Sequence, residues 1–579
     1  MADAARAVTF SPDIAPIVYQ QFPLCHHPGG SGPFSLLTFT DVHKRAEQVA
    51  KVTARRLMPP WLPAHDCGPF EAERGLTDSQ IALFQEWFRD GAAEGDPTGA
   101  PPAPHYNDGW TLGEPDLVVK LPEAFVVPAE GKDVYHNFVL PLSLDKPRYV
   151  RAVELRSGNP RVVHHAFLLL DQTGEARRRA AKEGGAGYTG MNAGDEVRPP
   201  VGQFLNWQPG KAACIESEDQ PWGLPAGADI VLQAHLRPTG KPEGIQPSIG
   251  LYFTDKAPTE TRCTLALQSA LIDIPAGSSD YAMTSSYVLP VDVDVIGVSA
   301  HAHYLGKDLQ GFASLPDGTK QMLLHIPNWN FDWQGSYMLV NPVTLPRGTT
   351  LGMRYTYDNS AQNPRNLHSP PRRVLFGSNS DDEMGEFWLL LRLHDQEELV
   401  TLLSDYRGRY VVPDVIQSEQ AILKRTPDDA NAHADLATAF FLGGRRADAG
   451  RELEEALMLQ TDCVKARRLM GNLFFDNRDY RNAAAQYRRA LQIEPDNFRC
   501  QSDLGLALGC QGDMAGAIEQ FQIALRLNPR DALTHANLGR VYAMQGKMDE
   551  AKAELQRALE LDPQQPVALE TQRQLGVSP

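Results

Sequence analysis

The chain has 579 residues, of which 22% are charged and 42% hydrophobic, and a formal net charge of −17. At roughly 150 residues per domain, that length predicts about four domains, each able to bury a core. The ordinary apolar fraction excludes wholesale disorder, the acidic balance argues against nucleic acid or an anionic membrane surface as main partner, and no apolar run of about 18 residues offers a membrane span.

In chain order, the start MADAARAVTF has neither a basic opening nor an apolar core, so no signal peptide is visible as written. Residues 1–95 read as a small all-α domain, with helices over 41–57 and 77–90, the second capped by Thr77. The Pro- and Gly-rich stretch GDPTGAPPAP reads as a linker, set at 96–111. From 112 to 400 short alternating runs such as YVRAVEL, DIVLQAHL and TLGMRYTY are divided by the turns LPAG, IPAG, LPDG and LPRG. Many short strands between such turns predict two consecutive antiparallel β-sandwiches, 112–260 and 261–400. Residues 401–429 are expected to connect these to a repeat array over 430–579 and to hold a half repeat. The seven cysteines are too scattered for a disulfide framework.

The array shows itself by a period of 34: Gly471, Gly505 and Gly539 follow Ala437 in one slot. The same period returns Ala449, Ala483, Ala517 and Ala551, then Leu453, Tyr487, Phe521 and Leu555, and Pro495, Pro529 and Pro563 at the turns. Small residues let two helices approach, a large residue fills the gap between them, and proline ends the second helix. This pattern resembles four tetratricopeptide repeats closed by a capping helix over 565–579, a helical solenoid whose concave face implies a protein partner.

Five histidines fall at strand-like positions of the β region. His164 and His165 sit in PRVVHHAFLLLD, His235 in DIVLQAHLRPTG, and His301 and His303 in VIGVSAHAHYLG. Residues i and i+2 of a strand share a face, so His301 and His303 can reach one metal ion from one segment. That face runs back through Ser299, Gly297 and Val295, and is expected to be the polar one, open to solvent or substrate. Neighbours point to opposite faces, so His164 and His165 can share an ion only if the strand bulges or ends there. Otherwise one is a core and the other a surface imidazole.

The region 112–400 resembles the copper type II, ascorbate-dependent monooxygenases, the family of the peptidylglycine and dopamine hydroxylases. The pieces VVHH, LPAGADIVLQAHLRPTG, HAHYLGKD, LPDG, NWNFDWQGSY, TYDNSAQNP and GSNSDDEM stand in family order. The resemblance implies two copper ions: one held by His164, His165 and His235, and a second, catalytic one held by His301, His303 and Met384. Three imidazoles suit copper in either oxidation state, and a thioether favours Cu(I), the state that meets O₂. Departures are Ala302 where the family commonly has methionine, and Leu236-Arg237-Pro238 where bacterial relatives often read Y-H-P. Tyr304 and Tyr357 are further candidates to bear on the second centre.

Residues 9–95 resemble the cytochrome c-like domain that precedes this region in many bacterial proteins, through FSPDIAPIV, CHHPGGSGPFSLLTFTD, RRLMPPW and GLTDSQIALFQEWF. Covalent haem needs C-x-x-C-H, whereas this chain reads Phe22-Pro23-Leu24-Cys25-His26. Met58 stands where the family supplies the second axial ligand. Two readings follow: haem c on a single thioether at Cys25 with His26 and Met58 as ligands, or a haem-free cap in which Cys25 pairs with Cys67.

The expectation is therefore a copper-dependent monooxygenase that hydroxylates a C–H bond with O₂ and a one-electron reductant such as ascorbate. Its substrate would be a small molecule or a peptide recruited by the repeats. The alternatives are a non-catalytic copper-binding scaffold and an electron-transfer protein. The family's chemistry places it in the periplasm or outside the cell.

Overall fold

The computed structural model describes residues 6–576 apart from 29, 106–108, 132, 143, 195, 212, 216–219 and 378. They divide into two units, Met1–Asp171 with Ala176–Leu402, and Gln172–Glu175 with Leu403–Pro579. No described helix is long and apolar enough to cross a membrane.

The first unit begins with short helices. Thr77 caps Asp78–Arg89 through a reciprocal box: its hydroxyl accepts from the Gln80 N–H while its own N–H donates to the Gln80 side chain. The helix expected over 41–57 is two, Phe39–His43 and Ala46–Ala54. Arg45 leaves helical geometry between them, and its guanidinium lies 3.9 Å from the centre of the Phe34 ring. Phe10, Ile14, Val18, Phe22, Phe84 and Trp87 form the core of these helices. Beyond them, residues 64–71 run along the β region, where the N–H of Ala64 donates to the His325 carbonyl and Phe70 bridges to Leu339.

The β region is built from antiparallel ladders. In its first half a five-stranded sheet has Leu117–Lys120, Ser248–Thr254, Arg148–Arg156 and Trp222–Leu224 in order, with Cys214–Ile215 on Arg148–Arg156. A six-stranded sheet has Asp229–Leu236 at its centre, between Val134–Pro141 and Val163–Asp171. Alternate residues of both sheets, Val150, Leu251, Phe138, Leu168 and Ile230 among them, share one apolar core. In the second half, Thr261–Gln268, Gly385–Leu393, Val293–Ala302 and Ser336–Leu345 form one sheet, and Tyr281–Val288, Thr350–Tyr357, Gly306–Ser314 and Lys320–Ile326 another. These two face each other closely: a Cβ on Gly311 would lie 2.2 Å from the Phe387 ring.

In the second unit, helix pairs repeat from Ala430–Leu442 with Arg446–Leu459 to Ala532–Met544 with Met548–Leu561, followed by Pro566–Leu575. The structure explains the glycine slot. A Cβ on Gly471 would lie 2.4 Å from Tyr487, and on Gly505 or Gly539 2.9 Å from Phe521 or Leu555. A second slot at the same period ties each first helix to the turn before it. His433, Gln501 and His535 bond to the carbonyls of Pro427, Pro495 and Pro529, and Arg467 to that of Thr461. Gly505→Val should therefore lower the stability of the helical transition, followed by circular dichroism in urea, by about 1–3 kcal/mol. Adding Phe521→Leu should recover part of that loss.

A candidate two-centre metal site

The strand Val163–Asp171 pairs with Asp229–Leu236 in a regular register down to His165 opposite His235, and then Val163 lies opposite Leu236. His164 is the extra residue of a β-bulge, which turns it to the side of its neighbour. Its Nδ1 lies 3.0 Å from His165 Nδ1 and 3.1 Å from His235 Nδ1. The ligand atoms of the three imidazoles all fall within 4.8 Å of one another. His235 Nε2 donates to Asp133 Oδ2 at 2.7 Å, which fixes its tautomer and leaves the Nδ1 lone pair aimed into the cluster. The same ring stacks on Tyr135 at 4.3 Å. His164 Nε2 is buried with no hydrogen-bond partner.

Burial keeps these rings neutral. It holds the pKa of His164 down to about 2, helped by the Arg237 charge and the other imidazoles, and that of His165 well below its ordinary value. His235 is lowered as well, against the pull of Asp133. Three neutral imidazoles gathered around one point could hold a metal ion.

His301 is the penultimate residue of the strand Val293–Ala302, with His303 just beyond its end. A bulge at Ile296 removes Val295 from the face expected to carry both histidines. Ser299 and His301 on that face are half-buried and line a cavity with His303, which is itself 1% exposed. His303 Nδ1 donates to the Asp382 carbonyl at 3.1 Å, and His301 Nδ1 to the Gln334 amide oxygen at 2.6 Å, so both rings keep Nε2 free. Burial, with His301 beside it, lowers His303 to about 3.

Met384 joins this pair through Glu383, whose fully buried carboxylate accepts from the backbone N–H groups of His303, Leu305 and Met384. Burial pushes the pKa of Glu383 up to about 8 against those three donors. Tyr357 donates to the Met384 carbonyl at 2.9 Å, and Tyr304 accepts from Arg237 at 2.6 Å. His165, His301, His303 and Met384 line one cavity of about 350 Å³ with Phe167, Met191, Phe204, Trp388 and a single acid, Glu386. No lysine or arginine is among its described lining residues.

Between the clusters runs the segment Asn328–Gln334. Phe331 touches both, Asp332 accepts from Arg237 at 2.7 Å, Gln334 holds His301, and the Trp329 indole donates to the His303 carbonyl at 2.9 Å. Trp333 borders a separate cavity of about 230 Å³ among the N-terminal helices. Cys25, His26 and Met58 line that cavity together, along with Phe22. His26 Nδ1 donates to the Phe34 carbonyl at 3.0 Å, which leaves Nε2 free. Cys25 and Cys67 are both free thiols, so the disulfide considered for the haem-free cap is not formed. The Cys67 thiol instead donates to the Ala64 carbonyl at 3.2 Å.

Sequence reasoning missed Asp133, Gln334 and Glu383, which orient the imidazoles and the methionine. The segment NWNFDWQ, rich in aromatic and polar residues without strand or helix period, was the available signal for a functional loop.

Family models for the tetratricopeptide repeat match residues 502–566, and for the TPR repeat residues 471–512. The C-terminal helices are thus tetratricopeptide repeats. No curated protein matches the chain. Among similar solved structures, that of MamA is 22% identical, with 28% of this chain and 94% of that one covered at a TM-score of 0.25. MamA from Desulfovibrio magneticus RS-1 is 19% identical over 30% of this chain and 98% of its own, at 0.26. YrrB, titled a TPR protein with an unusual peptide-binding site, is 17% identical over 31% and 92%, at 0.25.

The lowered imidazoles make the metal-free chain acid-sensitive. His164 and His303 stay neutral when folded but protonate near 6.5 when unfolded, so the unfolded state binds more protons below that pH. Stability should fall as the pH drops below 6.5, by about 1 kcal/mol per pH unit for each proton that the unfolded state binds and the folded state does not. Urea unfolding between pH 7 and 5 measures this, and His164→Leu should remove one ring's share of the slope.

Proposed function

We propose that the chain is a copper-dependent monooxygenase whose β region is a pair of β-sandwiches, each supplying one copper centre. The observation that carries this is the convergence of three imidazoles at the His164 bulge, one of which, His165, lines a cavity together with His301, His303 and Met384. A carrier or scaffold has no need of two chemically different donor sets. Copper in these sites would supply one-electron redox and O₂ activation.

The chain's own residues do the rest. Asp133, Gln334 and the Asp382 carbonyl hold the ring tautomers, so each His235, His301 and His303 imidazole presents its lone pair. Glu383 fixes the backbone on either side of the second centre. The lining of the cavity favours an apolar, neutral or cationic group over a carboxylate, because no lysine or arginine among its described lining residues would neutralise an anion. The tetratricopeptide unit offers a surface for a protein partner, which would bring a substrate or a reductase to the first unit.

For the N-terminal helices we propose a cytochrome c-like cap holding one haem on a single thioether. Cys25, His26 and Met58 border one apolar cavity, and the free Nε2 of His26 suits an axial ligand.

Desalted chain reconstituted with copper should carry two Cu by ICP-MS. Met384→Ala should keep the copper of the three-imidazole centre and lose O₂-dependent product. A wild-type chain that takes up no copper overturns the proposal. Expressed with cytochrome-maturation machinery, the wild-type chain should show about one haem per chain in a pyridine haemochrome assay, with the band position of a single saturated vinyl group. Phe22→Cys should shift it to that of two. A colourless wild-type product overturns the haem assignment alone.

A further inference from the structure

A further cavity, of about 600 Å³, lies where the segment after the helix Ala46–Ala54 meets the second half of the β region. Arg55, Arg56 and Trp61 line it from one side, and Asn330, Trp333 and Arg365 from the other. In a chain of net charge −17, no aspartate or glutamate is among its described lining residues. Clefts of this size at the junction of two folded parts are where small molecules bind. The cavity borders that of Cys25 and His26 through Met58 and Trp333, but Arg55 and Arg365 line this one and not that one, which has Arg74.

Its walls are stiff before any ligand arrives. Pro59, Pro60 and Pro63 fix the backbone of one wall, and Trp61 between them meets the Tyr337 ring edge-on at 5.4 Å. The Ala64 N–H holds the end of that wall on the His325 carbonyl at 2.8 Å. Opposite, the Trp333 N–H closes a turn on the Asn330 carbonyl at 3.0 Å, and the Arg365 N–H does the same on Asn363 Oδ1 at 3.0 Å.

The cations differ in what they are already bound to. Arg56 gives one nitrogen to the Leu76 carbonyl at 3.0 Å and another to the Asp78 carboxylate, so its charge is balanced. His65 lies 3.4 Å from Glu73. Arg365 spends Nη1 on the Trp329 carbonyl, which aims the side chain but neutralises nothing. Arg55 has no hydrogen-bond or ion-pair partner among the described residues. Two unbalanced guanidiniums, one from each wall, thus share a cavity with two indoles. Guanidinium forks recognise carboxylate and phosphate oxygens, and indoles recognise flat rings. The cavity of His165 and His301, with no lysine or arginine in its described lining, selects the opposite charge.

We propose that this cavity is a binding site for a small organic anion, a planar ring bearing a phosphate or a carboxylate, held between Arg55 and Arg365. Rigid walls keep the ordering cost of binding low. The site is separate from both histidine clusters, and the inference stands whether or not the chain binds copper.

The test is isothermal titration calorimetry of the full chain in low-salt buffer with two anions, AMP and 2-naphthoate, each beside its neutral counterpart, adenosine and 2-naphthamide. At least one anion should bind at one site per chain, with its neutral counterpart about tenfold weaker. Which anion binds tells phosphate from carboxylate. Arg55→Gln and Arg365→Gln should each weaken binding about threefold and together about tenfold, with Arg55→Lys closer to wild type than Arg55→Gln. Should Arg365→Gln fail to fold, Arg55→Gln still decides, since that side chain is exposed and touches nothing that holds the fold. A wild-type chain that binds neither anion overturns the inference. So does a neutral counterpart that binds equally well, or binding unchanged in the folded variants.

Discussion

Two adjacent residues on a β-strand cannot both face the same point unless the ladder admits an extra residue. The ladder between Val163–Asp171 and Asp229–Leu236 does so at His164, and the first cluster depends on it. Had the register run on unbroken, His164 would turn away from His165 and His235 and only two imidazoles would remain together. The disturbance is local. Leu236 and Val163, on the far side of the bulge, are both buried in the core between the sheets. The displaced ring exchanges its place in the ladder's alternation for packing on Phe331.

The two histidine clusters differ in which ring nitrogen is supported. An acceptor on Nε2 of His235 turns Nδ1 inward, whereas acceptors on Nδ1 of His301 and His303 leave Nε2. These acceptors come from far along the chain: Asp133 lies 102 residues from His235, and Asp382 lies 79 from His303. The orientation of every supported ring thus depends on tertiary packing, with little from its own strand. Glu383 extends the same logic to the main chain, since one carboxylate gathers N–H groups from both sides of the second centre.

Much of this was legible in the sequence where a period governs it. The glycine and large-residue slots of the repeats are set by contact between consecutive helices, so a fixed spacing carries them. Short alternating runs between Gly and Pro turns mark the sheets for the same reason. The His-x-His spacing predicts a shared face, and His301 and His303 line one cavity, but it does not carry the near-complete burial of His303, on which Phe331 packs. The acidic run before Met384 reads as surface, yet Glu383 is fully buried because three backbone donors receive it. The break at Arg45 was likewise hidden, since a helical pattern does not reveal a guanidinium drawn onto a ring in the preceding loop.

The segment Asn328–Gln334 alternates its loyalties from one residue to the next. Trp329 reaches His303, Phe331 the gap, Asp332 the Arg237 side, Trp333 the cavity among the N-terminal helices, and Gln334 His301. Each of these reaches depends on the count of backbone atoms between neighbours. Surface loops between strands usually drift in length as sequences diverge, because an added residue only lengthens an exposed excursion. Here an inserted or deleted residue would send at least two side chains into the wrong compartment at once. In chains descended from the same ancestor, this stretch should therefore hold its length while the loops around it do not.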